Sequence, residues 1–390
     1  VVLVLVPLAT VRVAGTAARH RRTVLGIAAV LVLAGLARVG STDATALAYD
    51  EVEQVRADLA DRQRFGREID SDRWAGVPGD RLLRRLHGTD VMIVFVESYG
   101  RVAVQGTTFS PGVDRVLEDG SRALRASGWS VRSAFLTSPT FGAASWLAHS
   151  TTQSGLWVDS QRRYEQLLGS DRLTLTSAFS RAGWRTVFDV PADTRDWPQG
   201  QAFYGFDRIY DSRDVGYAGP QFGYALVPDQ YTLSAFQRLE LDPSGRDPIM
   251  AEVDLVSSHH PWAPSPDPVP WDRVGDGSVF DTTATQPDSS DVRTLYGQSI
   301  EYTMSTLVSW LQTQPDPDLL LLVLGDHQPH SYVTGPDPGH DVPVSVIAKD
   351  PRLVERFAGR DWHRGLLPGP DAPVWPMSQV RDRFLAAFTP

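Results

Sequence analysis

Four short stretches carry residue types that could do chemistry together. Gly325-Asp326-His327 closes the aliphatic run Leu319–Leu324, so a carboxylate and an imidazole stand side by side where a buried strand meets its loop. Glu97 closes a second such run, Val91–Val96, and is followed by Ser98-Tyr99-Gly100. Ser145 follows the small-residue turn Gly142-Ala143-Ala144 and heads a helical stretch that lasts to Gly155. Ser257-Ser258-His259-His260-Pro261-Trp262 follows a third apolar run, Ile249–Val256.

In open α/β sheets, ligands bind beyond the carboxyl ends of the strands. Glu97, Asp326 and His327 would all lie there. Two carboxylates and one imidazole suit a hard divalent cation such as Mn²⁺ or Mg²⁺. Each piece also has a plain structural use: Asp326 as a helix cap, His327 as a solvated loop residue, Glu97 as an acid beside a helix N-terminus. Ser145 is equally two-sided. Serine is a favoured N-cap, yet a serine at a helix start also serves as a nucleophile, its alkoxide stabilised by a cation and its substrate anion facing helix N–H groups. His259 and His260 fit both a loop pair near Trp262 and acid/base work, since histidine titrates near neutrality.

The elements that must position these residues alternate along the chain. Apolar runs at Val91–Val96, Val131–Leu136, Thr186–Val190, Ile249–Val256, Leu319–Leu324 and Val342–Ala348 read as strands. Helical patterns from Ser145, over Leu173–Ala182 and over Arg293–Gln312 lie between them. That alternation predicts an α/β fold with a largely parallel sheet and helices on both faces. Two long Pro/Asp/Gly-rich stretches, 213–230 and 261–292, read as irregular, and loops of such length are usually functional or mobile.

Composition narrows the classes further. With 390 residues and 42% hydrophobic content the chain can bury a large core. A net charge of −10, with no basic patch beyond the N-terminal segment, argues against a nucleic-acid partner. The absence of cysteine excludes disulfides, thiolate metal sites and a cysteine nucleophile.

The N-terminal residues differ from the rest. Val1–Leu8 is apolar, Arg12, Arg19, His20, Arg21 and Arg22 form a basic stretch, and Thr23–Val39 is apolar again apart from Arg38. The second run falls slightly short of the roughly 20 residues of a membrane span, though its flanks can snorkel. The chain opens inside an apolar run without Met, which reads as the end of a longer membrane domain or an alternative start. By the positive-inside rule the arginines face the cytoplasm and everything after Ser41 lies outside. A cleaved signal peptide is the other reading, favoured by Leu33-Ala34-Gly35-Leu36-Ala37. The expected organisation is membrane segment(s) over 1–40, a polar helical stalk or linker over 41–79, and a catalytic domain over 80–390.

Together, the strand ending in Glu97-Ser98-Tyr99-Gly100, the later small-residue turn with its hydroxyl and the strand ending in Gly325-Asp326-His327 resemble the sulfatase/alkaline phosphatase superfamily. Within it they are most similar to the membrane-anchored phosphoglycerol transferases of the lipoteichoic acid synthase type. The resemblance covers roughly residues 90–350, with the pieces in the family's order. It implies an alkaline phosphatase-like three-layer α/β/α sandwich preceded by transmembrane segment(s). It places one divalent ion, Mn²⁺ or Mg²⁺ with Ca²⁺ as a third option, on Glu97, Ser145, Asp326 and His327. In the family a glycine follows the nucleophile by ten positions, as Gly155 follows Ser145. Family members also carry a His-x-Pro-aromatic turn whose histidine contacts the phosphate or leaving group, and His259 matches it by its spacing to Pro261.

The same resemblance suggests substrate contacts. An arginine and an aromatic after the third strand bind the lipid headgroup in relatives; Arg195 and Trp197 are the candidates here, in the reverse of the familiar order. His149 falls where sulfatases carry the arginine of their nucleophile signature; it either touches the anion or sits on the helix face without a chemical role. His260 and His340 are further candidates, with a surface role the alternative for His340.

Departures from the family matter as well. Ser145-Trp146-Leu147-Ala148-His149 lacks the proline and arginine of the signature that directs formylglycine formation, and Glu97-Ser98 stands where sulfatases use two adjacent acids. The transferases generally use threonine, which leaves Thr140 as the fallback nucleophile. The expected function is metal-dependent transfer of a phospho-alcohol group from a membrane lipid to a cell-envelope glycan or lipid acceptor through Ser145, at the outer side of the cell membrane. The rivals are a sulfuric or phosphoric ester hydrolase on the same scaffold and an inactive envelope-binding domain.

Overall fold

The computed structural model describes residues 42–280 and 291–390. The apolar runs at 1–8 and 23–39, with the basic stretch between them, lie outside the described residues. Among the described residues no helix is long and apolar enough to cross a membrane. The described residues divide between Arg67 and Glu68 into two units. A helix, α1, occupies Thr42–Asp70 within the stretch expected as a stalk, and its polar sequence has no sustained apolar stripe.

The larger unit is built in chain order from β1 (Asp90–Val96), α2 (Ser110–Ala126), β2 (Ser130–Thr137), α3 (Ser145–Ser154), α4 (Gln161–Leu168), α5 (Leu175–Arg181) and β3 (Arg185–Val190). It continues through α6 (Pro198–Tyr204), β4 (Arg208–Asp211), α7 (Asp229–Phe236), β5 (Ile249–Leu255), α8 (Val292–Thr313), β6 (Leu319–Gly325) and α9 (Ser331–Thr334). The last elements are β7 (Asp341–Ala348), α10 (Pro351–Ala358), β8 (His363–Arg364), β9 (Val374–Pro376) and α11 (Val380–Phe388).

Among the described residues one sheet contains every strand, in the order β4-β3-β5-β1-β6-β7-β2-β8, with β9 paired to β2. The expected parallel arrangement holds for β4, β3, β5, β1 and β6. It stops at β7, which runs antiparallel to both β6 and β2. The sheet is therefore mixed and mostly parallel. All seven residues of β1 and of β6 are buried, which is why both read as unbroken aliphatic runs rather than alternating patterns.

The period of two within β1 separates two cores. Met92, Val94 and Val96 face a cluster that includes Val113 and Leu117 of α2, Leu233 of α7 and Ile300 and Leu307 of α8. Val91, Ile93 and Phe95 face the opposite cluster, with Ala148 of α3, Phe179 of α5, Phe357 of α10 and Phe384 of α11. Helices thus cover both faces. Parts of the two long irregular stretches are packed together: Val215, Phe222 and Val227 from one meet Val274 and Phe280 from the other, around Tyr231 of α7.

Candidate functional site

The site forms where β1, β5 and β6 end. These three strands are adjacent and in register, Val96 lying opposite Leu255 on one side and Gly325 on the other. Glu97 and Asp326, one residue past those ends, therefore emerge side by side. Gly325 is required by close approach, since a Cβ there would run into the Tyr99 carbonyl. Ser98, with φ of 56°, donates its backbone N–H to Asp326 Oδ1 at 2.7 Å while its carbonyl accepts from Tyr296 Oη–H at 2.8 Å. The His327 N–H donates to the same Oδ1, also at 2.7 Å.

Ser145 reaches this edge through a loop stitched to the strand ends. Ser138 Oγ–H donates to the Asp326 carbonyl at 2.6 Å, and Gly142 N–H to the Gln328 carbonyl at 2.9 Å. Gly142 and Ala144 both take positive φ, 71° and 69°, turning the chain sharply into α3. Ala144 occupies the N-cap position, so Ser145 is the first helical residue rather than the cap. Its hydroxyl is free to point outward. Ser145 Oγ–H donates to Glu97 Oε2 at 3.0 Å and lies 3.3 Å from His327 Nε2. Gly155 closes α3 with φ of 69°, so the ten-residue spacing is simply the length of this helix.

Glu97, Asp326 and His327 each offer a ligand atom within 4.8 Å of the others, and all three are buried. Asp326 Oδ2 is sealed from solvent and accepts no hydrogen bond. His327 Nδ1 is 2.8 Å from the Gln328 carbonyl, which makes it the protonated nitrogen and leaves the Nε2 lone pair facing Glu97 at 3.5 Å and Asp326 at 3.4 Å. Burial, then the Glu97 charge, pushes the Asp326 carboxyl up to about 6. Burial alone would lower the His327 imidazole, but Asp326 and Glu97 raise it. An orphaned buried carboxylate oxygen and an aimed imidazole lone pair fit a divalent cation. Ser145 Oγ completes that donor set. Thr140 is buried beside Ser138 and outside this group, its N–H donating to Ser138 Oγ at 3.2 Å.

The other expected site residues are placed as follows. His259 is half-buried, its ring stacked on Tyr224 at 3.7 Å and its Nδ1 bonded to the His260 carbonyl. Burial lowers its imidazole, partly offset by that carbonyl and by Asp326. His260 is exposed and packs edge-on against Trp262 and Tyr332 at 5.2 and 5.6 Å. His340 is exposed, with Nδ1 3.1 Å from the Ser138 carbonyl. Arg195 is exposed. Trp197 joins a separate aromatic cluster, 5.6 Å from Tyr204 and 6.2 Å from Phe188.

His149 is not turned toward an open anion site. Its ring stacks on Phe95 at 3.7 Å, and its Nδ1 lies 2.8 Å from Glu252 Oε1 and 3.8 Å from Asp254 Oδ1. Burial would lower this imidazole, but the Asp254 and Glu252 carboxylates carry it up to about 9. Glu252 and Asp254 were missed by the sequence reading. Their signal was the alternation in Ile249-Met250-Ala251-Glu252-Val253-Asp254-Leu255, which sets two acids on one face of a core strand.

A sequence profile of the sulfatase family matches residues 121–350, more than half of the chain. The chain belongs to the sulfatase family and is an enzyme of that superfamily. No curated protein sequence matches it. Among solved structures it is similar to the C-terminal periplasmic domain of EcEptC from Escherichia coli, at 14% identity and a TM-score of 0.50, covering 77% of this chain and 82% of that one. It is also similar to the lipoteichoic acid synthase LtaP from Listeria monocytogenes, at 15% identity and a TM-score of 0.46, over 68% and 67% of the two chains. A third is the Streptococcus pyogenes phosphoglycerol transferase GacH in complex with sn-glycerol-1-phosphate, at 12% identity and 0.48, over 76% and 75%.

Proposed function

We propose that this enzyme transfers a phospho-alcohol group, phosphoglycerol or a close analogue, from a membrane lipid to a cell-envelope acceptor through a covalent intermediate on Ser145. The observation that carries the reading is the convergence of Ser145 Oγ with Glu97, Asp326 and His327 at the N-terminus of α3. The E. coli neighbour is a periplasmic domain that has also been solved with Zn, which supports a metal-dependent, extracytoplasmic setting. Membrane attachment through residues 1–40 and a stalk over 41–79 belong to the same proposal.

A divalent ion held by Glu97, Ser145, Asp326 and His327 would supply Lewis-acid polarisation of the phosphoryl oxygens and lower the pKa of the Ser145 hydroxyl. The chain's own residues do the rest. Ser145 passes its proton to Glu97, which its hydroxyl already contacts, and Oγ attacks phosphorus. The Oγ–P bond forms as the P–O bond to the lipid alcohol breaks. Protonated His259 gives its proton to the departing alkoxide, and the neutral ring then takes the proton of the acceptor hydroxyl, whose oxygen displaces Ser145 from phosphorus as Glu97 returns the proton to Ser145 Oγ. The burial that lowers the His259 imidazole suits both halves, favouring proton release in the first and leaving a base for the second. The unsatisfied N–H groups opening α3, which no side chain caps, face the anionic group.

The test is intact-mass analysis and peptide mapping of the Mn²⁺-loaded chain after incubation with phosphatidylglycerol, or with aryl phosphate or aryl sulfate esters. A glycerophosphate adduct on Ser145, absent with EDTA and in Ser145→Ala, is expected, with turnover falling about a thousand-fold or more in that variant. Aryl sulfate turnover without an adduct would replace this reading by ester hydrolysis. No adduct and no turnover of any ester would leave a binding domain.

A further inference from the structure

In the proposed transfer His259 gives a proton to one alcohol and takes one from another, yet it stands on the turn after β5 rather than at a strand end or helix start. Its backbone is placed by its neighbours. Ser258 Oγ–H donates to the Glu97 carbonyl at 2.6 Å, and Trp262 Nε1–H donates to the Ser258 carbonyl at 2.6 Å. Its ring has one hydrogen bond among the described residues, from Nδ1–H to the His260 carbonyl. That bond keeps a proton on Nδ1 and leaves Nε2 as the working nitrogen. A partner one residue away moves with the turn itself, so the plane of the ring needs a further support.

We infer that Tyr224 is a positioning residue for His259, holding the imidazole in the plane from which it serves the leaving alcohol; the inference rests on the transfer reading. The two rings lie face to face, 3.7 Å between centroids and 16° between planes. Such overlap suits an imidazole that carries positive charge for part of the cycle, because the π face of tyrosine attracts a cation. Tyr224 is itself anchored. Phe222 and Ala225 close its turn as an antiparallel bridge, and both are buried, Phe222 within the core shared by the two irregular stretches. Gly223, with φ of 59°, presses on the histidine turn, where a Cβ would come within 3.1 Å of Ala263 Cβ and 3.2 Å of the Pro261 carbonyl oxygen. The Tyr224 side chain stays 44% exposed, and its hydroxyl has no hydrogen-bond partner among the described residues. Its contact with His259 is therefore not a by-product of core packing.

The experiment follows single-turnover formation of the Ser145 adduct in the Mn²⁺-loaded full chain with two donors. Phosphatidylglycerol has an alcohol that must be protonated as it leaves; the p-nitrophenyl diester of glycerol phosphate releases a nitrophenolate that needs no proton. Tyr224→Ala should slow the first donor about ten- to a hundred-fold and the second by no more than about threefold. Tyr224→Phe keeps the ring and should match the wild type on both. His259→Gln should slow the first donor at least as much as Tyr224→Ala does and spare the second. Equal slowing of both donors by Tyr224→Ala, or no slowing of either, would overturn the role of Tyr224, while a selective loss in His259→Gln would still uphold the transfer reading. No adduct from either donor in the wild type would overturn the transfer reading and the use assigned to Tyr224 together. Histidine NMR of the metal-free chain supplies a readout besides activity. The His259 ring signals, identified by their loss in His259→Gln, should move downfield in Tyr224→Ala and hold their place in Tyr224→Phe. Signals unmoved in Tyr224→Ala would overturn the stack itself.

Discussion

Ser145, His149 and Gln153 stand on successive turns of one face of α3, and each meets a carboxylate: Glu97 for the first, Glu252 for the other two. This stripe makes the site both reactive and unstable without cations. Asp326→Asn should therefore separate the two properties. In EDTA the variant should melt at or above the wild type, because a buried charge crowded by Glu97 is removed while the amide oxygen still accepts from the Ser98 and His327 N–H groups, which outweighs the lost attraction to His327. On addition of Mn²⁺ the wild type should gain about 4 kcal/mol at a thousand-fold excess over Kd, and the variant should lose most of that gain; calorimetric melts with and without Mn²⁺ check both halves. At this scale the sequence spoke through strand ends. Glu97 and Asp326-His327 were legible because each directly follows a buried aliphatic run. Glu252 and Asp254 lie inside a run that is otherwise apolar, and His149 gave no hint of its partners because they are about a hundred residues away in the chain.

Elements carry the geometry that single residues cannot. The turn before α3 depends on Ala144 holding a left-handed conformation that costs an L-residue roughly 1–2 kcal/mol. Ala144→Gly should relieve that strain and leave stability within about 1 kcal/mol of the wild type, the flexibility of glycine offsetting the relief. Ala144→Val adds a branched Cβ where φ is 69° and should cost about 1–3 kcal/mol. Its turnover should fall with kcat rather than KM if the turn serves to aim Ser145; paired denaturation and steady-state measurements test this. Strands were the most legible elements, β1, β3, β5, β6 and β7 all falling within a residue of the expected bounds. Several helices escaped notice, among them α2, whose charged residues Arg115, Glu118, Asp119 and Arg122 obscure the buried stripe of Val113, Leu117 and Leu124. The antiparallel turn of β7 was invisible too, since a fully buried strand carries no mark of its direction.

At the scale of the whole molecule, the far side of the larger unit is tied by a buried charge network. Asp72 accepts from Arg381 Nη1 at 2.8 Å and lies 3.3 Å from Arg172 Nε, all three side chains being 4% exposed or less. These arginines reach onward to the carbonyl of Ser154, the last residue of α3, and to that of Leu173, two residues before α5. Asp72→Asn would leave two buried guanidiniums short of a partner and should cost about 3–5 kcal/mol. Burial raises the Asp72 carboxyl, but Arg381 more than compensates and holds it below its ordinary value of 3.8. A depressed carboxyl contributes stability that is complete above the unfolded value and lost as pH falls through the folded one. The wild type should therefore lose this increment only below about pH 4, and Asp72→Asn should lack that part of the acid limb in denaturant titrations. None of this network was legible in the sequence, because surface and buried arginines look alike there. The α/β class, the strand alternation and the two faces of helices were legible, since all follow from periodicity.

The adjacency of β5, β1 and β6 has a consequence for how genes of this kind can change. Glu97 lies on the same face as Phe95 only because it stands six positions, an even number in strict alternation, after Val91. Losing or gaining one codon within 91–96 would invert that alternation and turn Glu97 toward the α8 side of the sheet, away from Asp326 and Ser145. The loops before α7 and after β5 pack mainly on one another, with Tyr224 alone stacked on His259, so changes of length away from Tyr224 are open to them. Natural variation in length should therefore gather at 213–228 and 263–280 and stop at the borders of the three central strands.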